Sequence, residues 1–329
     1  MPTVNLLSEA DLRRCVQLDS DAIECIEDCF RILATQDVIM PPIMRMDIVE
    51  HHGEVDVKTA YLPGLDNFAI KMSPGFFDNP KIGLSSTGGM MVLFNSKTGV
   101  LDAVLLDNGY LTVVRTAAAG AVAAKHLSRT NSRHIGIIGA GDQARQQLHA
   151  LTLVRDIQSA KIWARDADKA REFAQKASTD FGIEVTPVET PSMVCEKTDI
   201  IVTTTPSHVP ILSLKDLHLG QHVTAMGSDA EDKNELAPDI VAGTSYFCDR
   251  LTQVAALGEL HHALLANKVD KDRYFPELGQ VIAGLATGRQ SEDEITVCDL
   301  TGTGAQDTAI ATLANQRAIS QSMGVSFKN

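Results

Sequence analysis

Several things are scarce or missing in this 329-residue chain. Basic residues form no block, and 29 Lys and Arg stand against 42 Asp and Glu, a net charge of −13. That balance argues against nucleic acid as a partner, since phosphate binding needs clustered cations. No apolar run reaches the roughly 18–20 residues a membrane span requires. The first dozen residues are polar and mixed, without the apolar segment of a secretory signal. The chain therefore reads as soluble and cytoplasmic, with no membrane partner. None of the six cysteines (Cys15, Cys25, Cys29, Cys195, Cys248, Cys298) sits in a C-x-x-C unit, which excludes a zinc ribbon or redox dithiol. Cys25 and Cys29, one helical turn apart, read as small half-buried residues on a helix face, and no metal is expected. Reduced thiols fit the same compartment. There is one Trp, no internal repeat and no low-complexity tract. What is present is an ordinary globular mixture, 44% apolar and 22% charged, long enough to bury a core in each of two domains.

The pattern changes along the chain. Residues 7–35 read as a helical region, started by Ser8 and Asp11, with apolar positions Ile23, Ile26, Phe30 and Ile32. Residues 43–106 carry short strand-like runs (54–61, 68–72, 90–94, 104–106) punctuated by Gly and Pro, as in an α+β domain. An alanine-rich helix follows over 111–127, with Arg115 near its start. After the polar linker 128–132, strands and helices alternate (134–138, 144–154, 160–163, 167–179, 200–203, 222–226, 246–248, 295–298), the rhythm of a doubly wound parallel sheet. The helical stretch 308–322 returns to the first domain. The reading is thus α/β: a substrate-binding and dimerisation domain from residues 1–118 and 306–329, and a Rossmann dinucleotide-binding domain over 119–305.

The motif that carries this is Gly139-Ala140-Gly141-Asp142-Gln143-Ala144, placed after a strand and before an amphipathic helix. Gly139 permits the tight turn, Gly141 lets backbone approach a pyrophosphate, and Ala144 allows close packing of helix on strand. The helix N-terminus supplies free N–H groups and a positive dipole end. At the end of the second strand, Ala164 stands where an acid would select NAD. Arg165 beside it leans toward NADP, and Asp166 is near enough to reach a ribose hydroxyl, so both cofactors stay open. The same two charges also suit a solvated strand end. Thr204, Thr205 and Pro206 follow the strand 199–202, where small hydroxyls suit the nicotinamide-side ribose, although a plain turn is nearly as good a reading.

Taken together, Leu111-Thr-Val-Val-Arg115-Thr-Ala-Ala, Gly139-Ala-Gly141-Asp-Gln143, Ala225-Met226-Gly227-Ser-Asp229, Glu277-Leu-Gly-Gln-Val-Ile-Ala-Gly284 and Asp299-Leu-Thr301-Gly302 resemble the ornithine cyclodeaminase/μ-crystallin family over nearly the whole chain. The resemblance implies a homodimeric, NAD(H)- or NADP(H)-dependent enzyme that oxidises an α-amino acid to its imine or reduces the imine. It implies that Arg45, Lys71 and Arg115 hold the substrate α-carboxylate, with Lys71 also in the catalytic set. It places Ser86, Thr301 and Gly302 near the substrate, Met226 and Gly227 near the cofactor, and Asp229 as the catalytic acid/base. The residues give weaker, independent reasons. Arg is a bidentate carboxylate fork, and Arg115 and Lys71 are charges in apolar settings that need a partner. Asp229 lies just past a strand end and is equally readable as a turn acid.

Ornithine-specific members carry a Glu that pairs with the substrate's side-chain ammonium; here Ala60 falls at that position. Lys58 shares the face of Ala60 by strand alternation, as does Asp56. A cation there favours a second carboxylate. The texts Met40-Pro-Pro-Ile-Met-Arg45-Met-Asp and Ser73-Pro-Gly75-Phe-Phe-Asp-Asn-Pro80 resemble the branch with the ectoine-utilisation cyclodeaminase-like proteins and iminosuccinate reductase. The resemblance then implies an imine reductase for a small dicarboxylic α-imino acid, of the iminosuccinate-to-aspartate type. Ornithine cyclisation and non-catalytic ligand binding like that of μ-crystallin are the alternatives.

Overall fold

The computed structural model describes residues 3–328. The chain divides into two compact units, one running to Arg115 and resuming at Thr303, the other from Thr116 to Gly302. The sequence reading had set this division after 118 and before 306. The first unit uses strands β1 (Thr3–Ser8), β2 (Met44–Ile48), β3 (Gly53–Ala60), β4 (Asn67–Phe76), β5 (Met90–Asn95) and β6 (Leu101–Leu106). The second uses β7 (His134–Ile138), β8 (Ser159–Trp163), β9 (Glu184–Pro187), β10 (Ile200–Thr203), β11 (His222–Ala225), β12 (Ser245–Cys248) and β13 (Thr296–Asp299), and β14 (Val325–Lys328) belongs again to the first.

The second unit is a seven-stranded sheet of order β12-β13-β11-β10-β7-β8-β9, parallel at every pairing. Its strands are fully buried runs such as Ile200-Ile-Val-Thr203, as expected where both faces are covered by helices. The order reverses beside β7, between β8 and β10. That is the topological switch point at which doubly wound sheets bind ligands, outside the carboxyl ends of the strands.

The first unit is a mixed sheet of order β14-β1-β6-β5-β4-β3-β2. The helices Ser20–Thr35 and Gly304–Ser320 pack together, and the second also lies on β3, β4 and β5. That last helix is buried nearly all round. Its docking is specific. The Thr308 hydroxyl donates to the Ala60 carbonyl of β3 (2.9 Å) and accepts from the Ala69 amide of β4 (3.0 Å). A Cβ on Gly304 would fall 2.5 Å from the Thr59 carbonyl oxygen, so only glycine lets the helix start against β3.

Two readings need correction. Residues 7–35 are not one helical region: Leu7 lies in β1, and Ser8 caps a short helix Glu9–Cys15. Asp19 then caps a second helix, Ser20–Thr35, through its side chain and the Ala22 amide. The break comes from two competing helix starts in sequence. Strand β14 had no expectation at all; its four residues are exposed and it pairs only with β1.

Candidate functional site

In the second unit, the turn after β7 has the geometry a phosphate-binding turn requires. Gly139 has φ +117°, and a Cβ there would lie 2.4 Å from the Thr204 hydroxyl, so conformation and space both demand glycine. Gly141 is extended at the head of the helix Asp142–Val154, and the space where its Cβ would sit is open. Ala140 and Gln143 are half-exposed and Asp142 exposed, so the first-turn amides are accessible to an anion. Ala144 is fully buried in the core formed with Ile135, Ile137 and Ile162. A nicotinamide dinucleotide fits these residues.

Beyond β8, Ala164 is half-buried and Arg165 exposed. Asp166 accepts from the amides of Asp168 (3.0 Å) and Lys169 (3.3 Å), capping the helix Ala167–Phe181. Its Oδ1 is thereby committed to the fold. On the other side of β7, Thr204 is tied back by two bonds to the Ile138 carbonyl, from its amide (2.8 Å) and hydroxyl (3.1 Å). Thr205 follows at the same strand end, and Pro206 is exposed. After β11, the half-buried Met226 receives the Gln147 amide on its sulfur at 3.2 Å. Gly227 precedes Ser228 and Asp229. The Asp229 side chain is 48% exposed and accepts from Lys233 Nζ at 2.7 Å. After β13, Thr301 and Gly302 bind the buried Asp249, by hydroxyl (3.1 Å) and amide (2.7 Å), and both also accept from Gln253. The carboxyl ends of β10, β11 and β13 thus carry Thr203–Thr205, Met226–Asp229 and Thr301–Gly302 on adjacent strands.

The first unit gathers cations. Lys58 of β3 pairs in register with Lys71 of β4, and both are buried. Like charges opposite each other repel, and here a carboxylate answers them. Asp307, in the first turn of the helix Gly304–Ser320, contacts Lys71 Nζ at 2.9 Å and accepts from Arg115 Nε at 3.0 Å. Arg115 reaches Gln306 as well, at 3.5 Å. Burial pulls the Lys71 ammonium down from the ordinary 10.5 to about 8; Asp307 opposes this, while Arg115 and Lys58 add to it. Burial pushes the Asp307 carboxyl up, but Lys71, Arg115 and Lys58 more than offset that and hold it below the usual range. Three buried cations, Lys58, Lys71 and Arg115, thus lie close to the buried carboxylate of Asp307, and Lys71 also acts on the buried Asp107.

Arg45 and Ser86 stand apart from that group in their contacts. Arg45, on the edge strand β2, is 35% exposed and held by Asp47 (2.9 Å), Glu54 (2.5 Å) and Asp56 (3.9 Å). In register it pairs with Asp56, one same-face position along β3 from Lys58. Ser86 is half-exposed in the loop from β4 to β5, its carbonyl accepting from the Phe76 amide at 2.7 Å. Ala60 is buried beside Lys58 on the covered face of β3, as alternation required. Four structurally central residues escaped the sequence reading. Asp307 had a signal, the one acid in the helix Gly304–Ser320; Gln147, Glu235 and Glu259 had none that spacing could show. Among the described residues no three His, Cys, Asp or Glu side chains group as a metal site, and no helix is long and apolar enough to cross a membrane.

The family model for ornithine cyclodeaminase/mu-crystallin matches residues 4–322. An uncharacterized cyclodeaminase of Sinorhizobium fredii is 57% identical, over 100% of both chains. Among solved structures, the Thermococcus litoralis Delta(1)-pyrroline-2-carboxylate reductase in complex with NADH and L-proline aligns with a TM-score of 0.93 at 30% identity, over 98% of this chain and 99% of that one. The iminosuccinate reductase of Paracoccus denitrificans in complex with NAD+ gives 0.92 at 28%, over 99% and 100%. An archaeal alanine dehydrogenase dimer with bound NAD gives 0.92 at 31%, over 99% of each chain. With a match this long, the chain belongs to the ornithine cyclodeaminase/mu-crystallin family.

Proposed function

We propose that this protein is a nicotinamide-dependent oxidoreductase of C–N bonds, an imine reductase or amino acid dehydrogenase for a small, dicarboxylic α-imino acid. The observation that carries the reading is the clustering of three buried cations, Lys58, Lys71 and Arg115, beside the carboxylate of Asp307. Lys71 and Arg115 grip the α-carboxylate, with Arg45 assisting from the edge strand, and Lys58 meets the distal carboxylate. Ser86, Thr301 and Gly302 complete the substrate contacts. Gly139–Ala144, Ala164–Asp166, Thr204–Pro206, Met226 and Gly227 hold the dinucleotide, which when bound supplies or takes up hydride. Asp229 exchanges the proton on the substrate nitrogen, as general acid in reduction and base in oxidation. Its carboxylate also favours a cationic nitrogen.

The named relatives support this chemistry, since a pyrroline-carboxylate reductase, an iminosuccinate reductase and an alanine dehydrogenase share the fold at high coverage. Dimerisation is part of the proposal. It is supported by the dimeric archaeal relative and by Met44 and Met46, 62% and 55% exposed on the edge strand β2. A cyclodeaminase acting on a diamino acid is the second reading, favoured by the name of the Sinorhizobium fredii relative. It would require an anion for the side-chain ammonium where Lys58 is buried beside Ala60.

The test is a reductive assay with oxaloacetate, pyruvate or glyoxylate plus ammonia, each with NADH and with NADPH. Preferential turnover of oxaloacetate is expected. Equal use of pyruvate would remove the role given to Lys58, and proline formed from L-ornithine would establish the second reading.

A further inference from the structure

Glu235 is fully buried, and both of its carboxylate oxygens accept hydrogen bonds. Its Oε1 accepts from the Thr205 amide (2.6 Å) and hydroxyl (2.8 Å). Its Oε2 accepts from the Thr203 hydroxyl (2.6 Å) and the Gly227 amide (2.7 Å). One carboxylate therefore fastens the strand end after β10 to the strand end after β11. The fit is tight: a Cβ on Gly227 would lie 2.1 Å from the Thr205 carbonyl oxygen and 2.5 Å from the Glu235 carboxyl carbon. Glu235 is itself anchored from behind. Glu259 accepts from the Glu235 amide (2.9 Å), the Leu236 amide (3.1 Å) and the Ser228 hydroxyl (2.5 Å). Ser228 is the residue between Gly227 and Asp229.

We infer that Glu235 is a positioning residue for the nicotinamide half of the cofactor site, clamping the Thr204–Pro206 and Met226–Asp229 loops into one rigid surface. The inference rests on the cofactor reading above. The physical argument is that two backbone amides, which can only donate, converge one on each oxygen, so both oxygens must accept, and two hydroxyls add to them. A glutamine in the same place keeps the shape but turns an NH2 group toward one of the two amides; the neighbouring hydroxyl can rotate to accept from it, but the buried backbone N–H is left unmet. The two halves of a dinucleotide lie on opposite sides of the switch point. The clamp is on the β10 and β11 side, whereas the adenosine side is served by Ala164–Asp166 after β8. Loss of the clamp should therefore weaken one half of the ligand selectively.

The experiment compares wild type, Glu235→Gln and Thr203→Val, measuring NADH and ADP dissociation constants by titration and the thermal midpoint of each protein. For Glu235→Gln, NADH affinity should fall by about tenfold or more, because hydrogen bonds to a charged group are lost. ADP affinity should stay near wild type. Thr203→Val keeps the carboxylate and removes one donor, so it serves if Glu235→Gln does not fold; its loss should be smaller and equally confined to NADH. Variants that bind NADH as wild type does, or that lose NADH and ADP in equal proportion, overturn the positioning role and leave the cofactor reading intact. A wild-type protein that binds ADP-containing ligands but shows no preference for the nicotinamide-bearing one removes the cofactor reading, and the inference with it.

Discussion

At Lys71 one proton bears on stability and, under the proposed function, on ligand binding. Its ammonium is held at about 8 by burial, against an ordinary 10.5. Between those values the unfolded chain binds more protons at this site than the folded one, so this lysine opposes folding below pH 8 and the opposition lifts as pH rises toward 10.5. Binding runs the other way. A substrate carboxylate needs the ammonium, so affinity for a carboxylate ligand should decline as pH rises through 8, and Lys71→Met should flatten that limb. An affinity constant from pH 7 to 10 in the wild type would remove Lys71 from the grip. Asp307 carries the opposite sign: with its carboxyl held low, its stabilising contribution is present above the ordinary 3.8 and is lost as pH falls through its lowered value. Asp307→Asn should cost about 3–5 kcal/mol in urea unfolding, since buried cations are left without their counter-charge. At Asp229, Asn substitution should cut turnover by about 10²–10⁴-fold while NADH binding persists. Turnover near wild type would remove Asp229 from the proton transfer.

Elements differ in how much of them the residues announce. The strand-turn-helix of Ile135–Val154 was legible because glycine spacing, apolar run and helix period all agree over one short segment. The shared face of Lys58 and Ala60 followed from alternation alone, and both are buried as it required. By contrast β1 earns its place through a parallel pairing with β6, nearly a hundred residues away, and nothing local marks it. The start of Ser20–Thr35 was hidden because Ser8 and Asp19 each cap a helix within one apolar pattern. The cation group was half legible. Lys71 and Arg115 stood out as charges in apolar surroundings, but their counter-charge lies on a helix some two hundred residues later. That helix gives a test at its own scale. Gly304→Ala adds a Cβ 2.5 Å from the Thr59 carbonyl oxygen. The added methyl should destabilise by about 1–3 kcal/mol, as overpacking does, despite alanine's better helix propensity. A stability gain in thermal unfolding would mean that the helix start yields easily and does not set the position of Asp307.

At the scale of the whole molecule, Lys58, Lys71 and Arg115 belong to one unit and Gly139–Ala144 and Asp229 to the other, so the proposed function divides its chemistry between them. The composition offers a reporter for one of them, because the only tryptophan, Trp163, ends β8 immediately before Ala164. Its indole packs on the core of the second unit, so its fluorescence follows the unfolding of that unit, whereas far-UV circular dichroism sums over both. A ligand that binds only the folded second unit must stabilise it by mass action. At a hundredfold excess over its dissociation constant, NADH should add about 2.7 kcal/mol to the unfolding free energy seen by Trp163. If the units unfold as one cooperative body, circular dichroism must shift equally; if each melts on its own core, only the tryptophan transition moves. Either pattern is consistent with a cradle at Gly139–Ala144. A Trp163 transition that NADH and NADPH both leave in place would mean that the strand ends of β7, β8, β10 and β11 hold no dinucleotide.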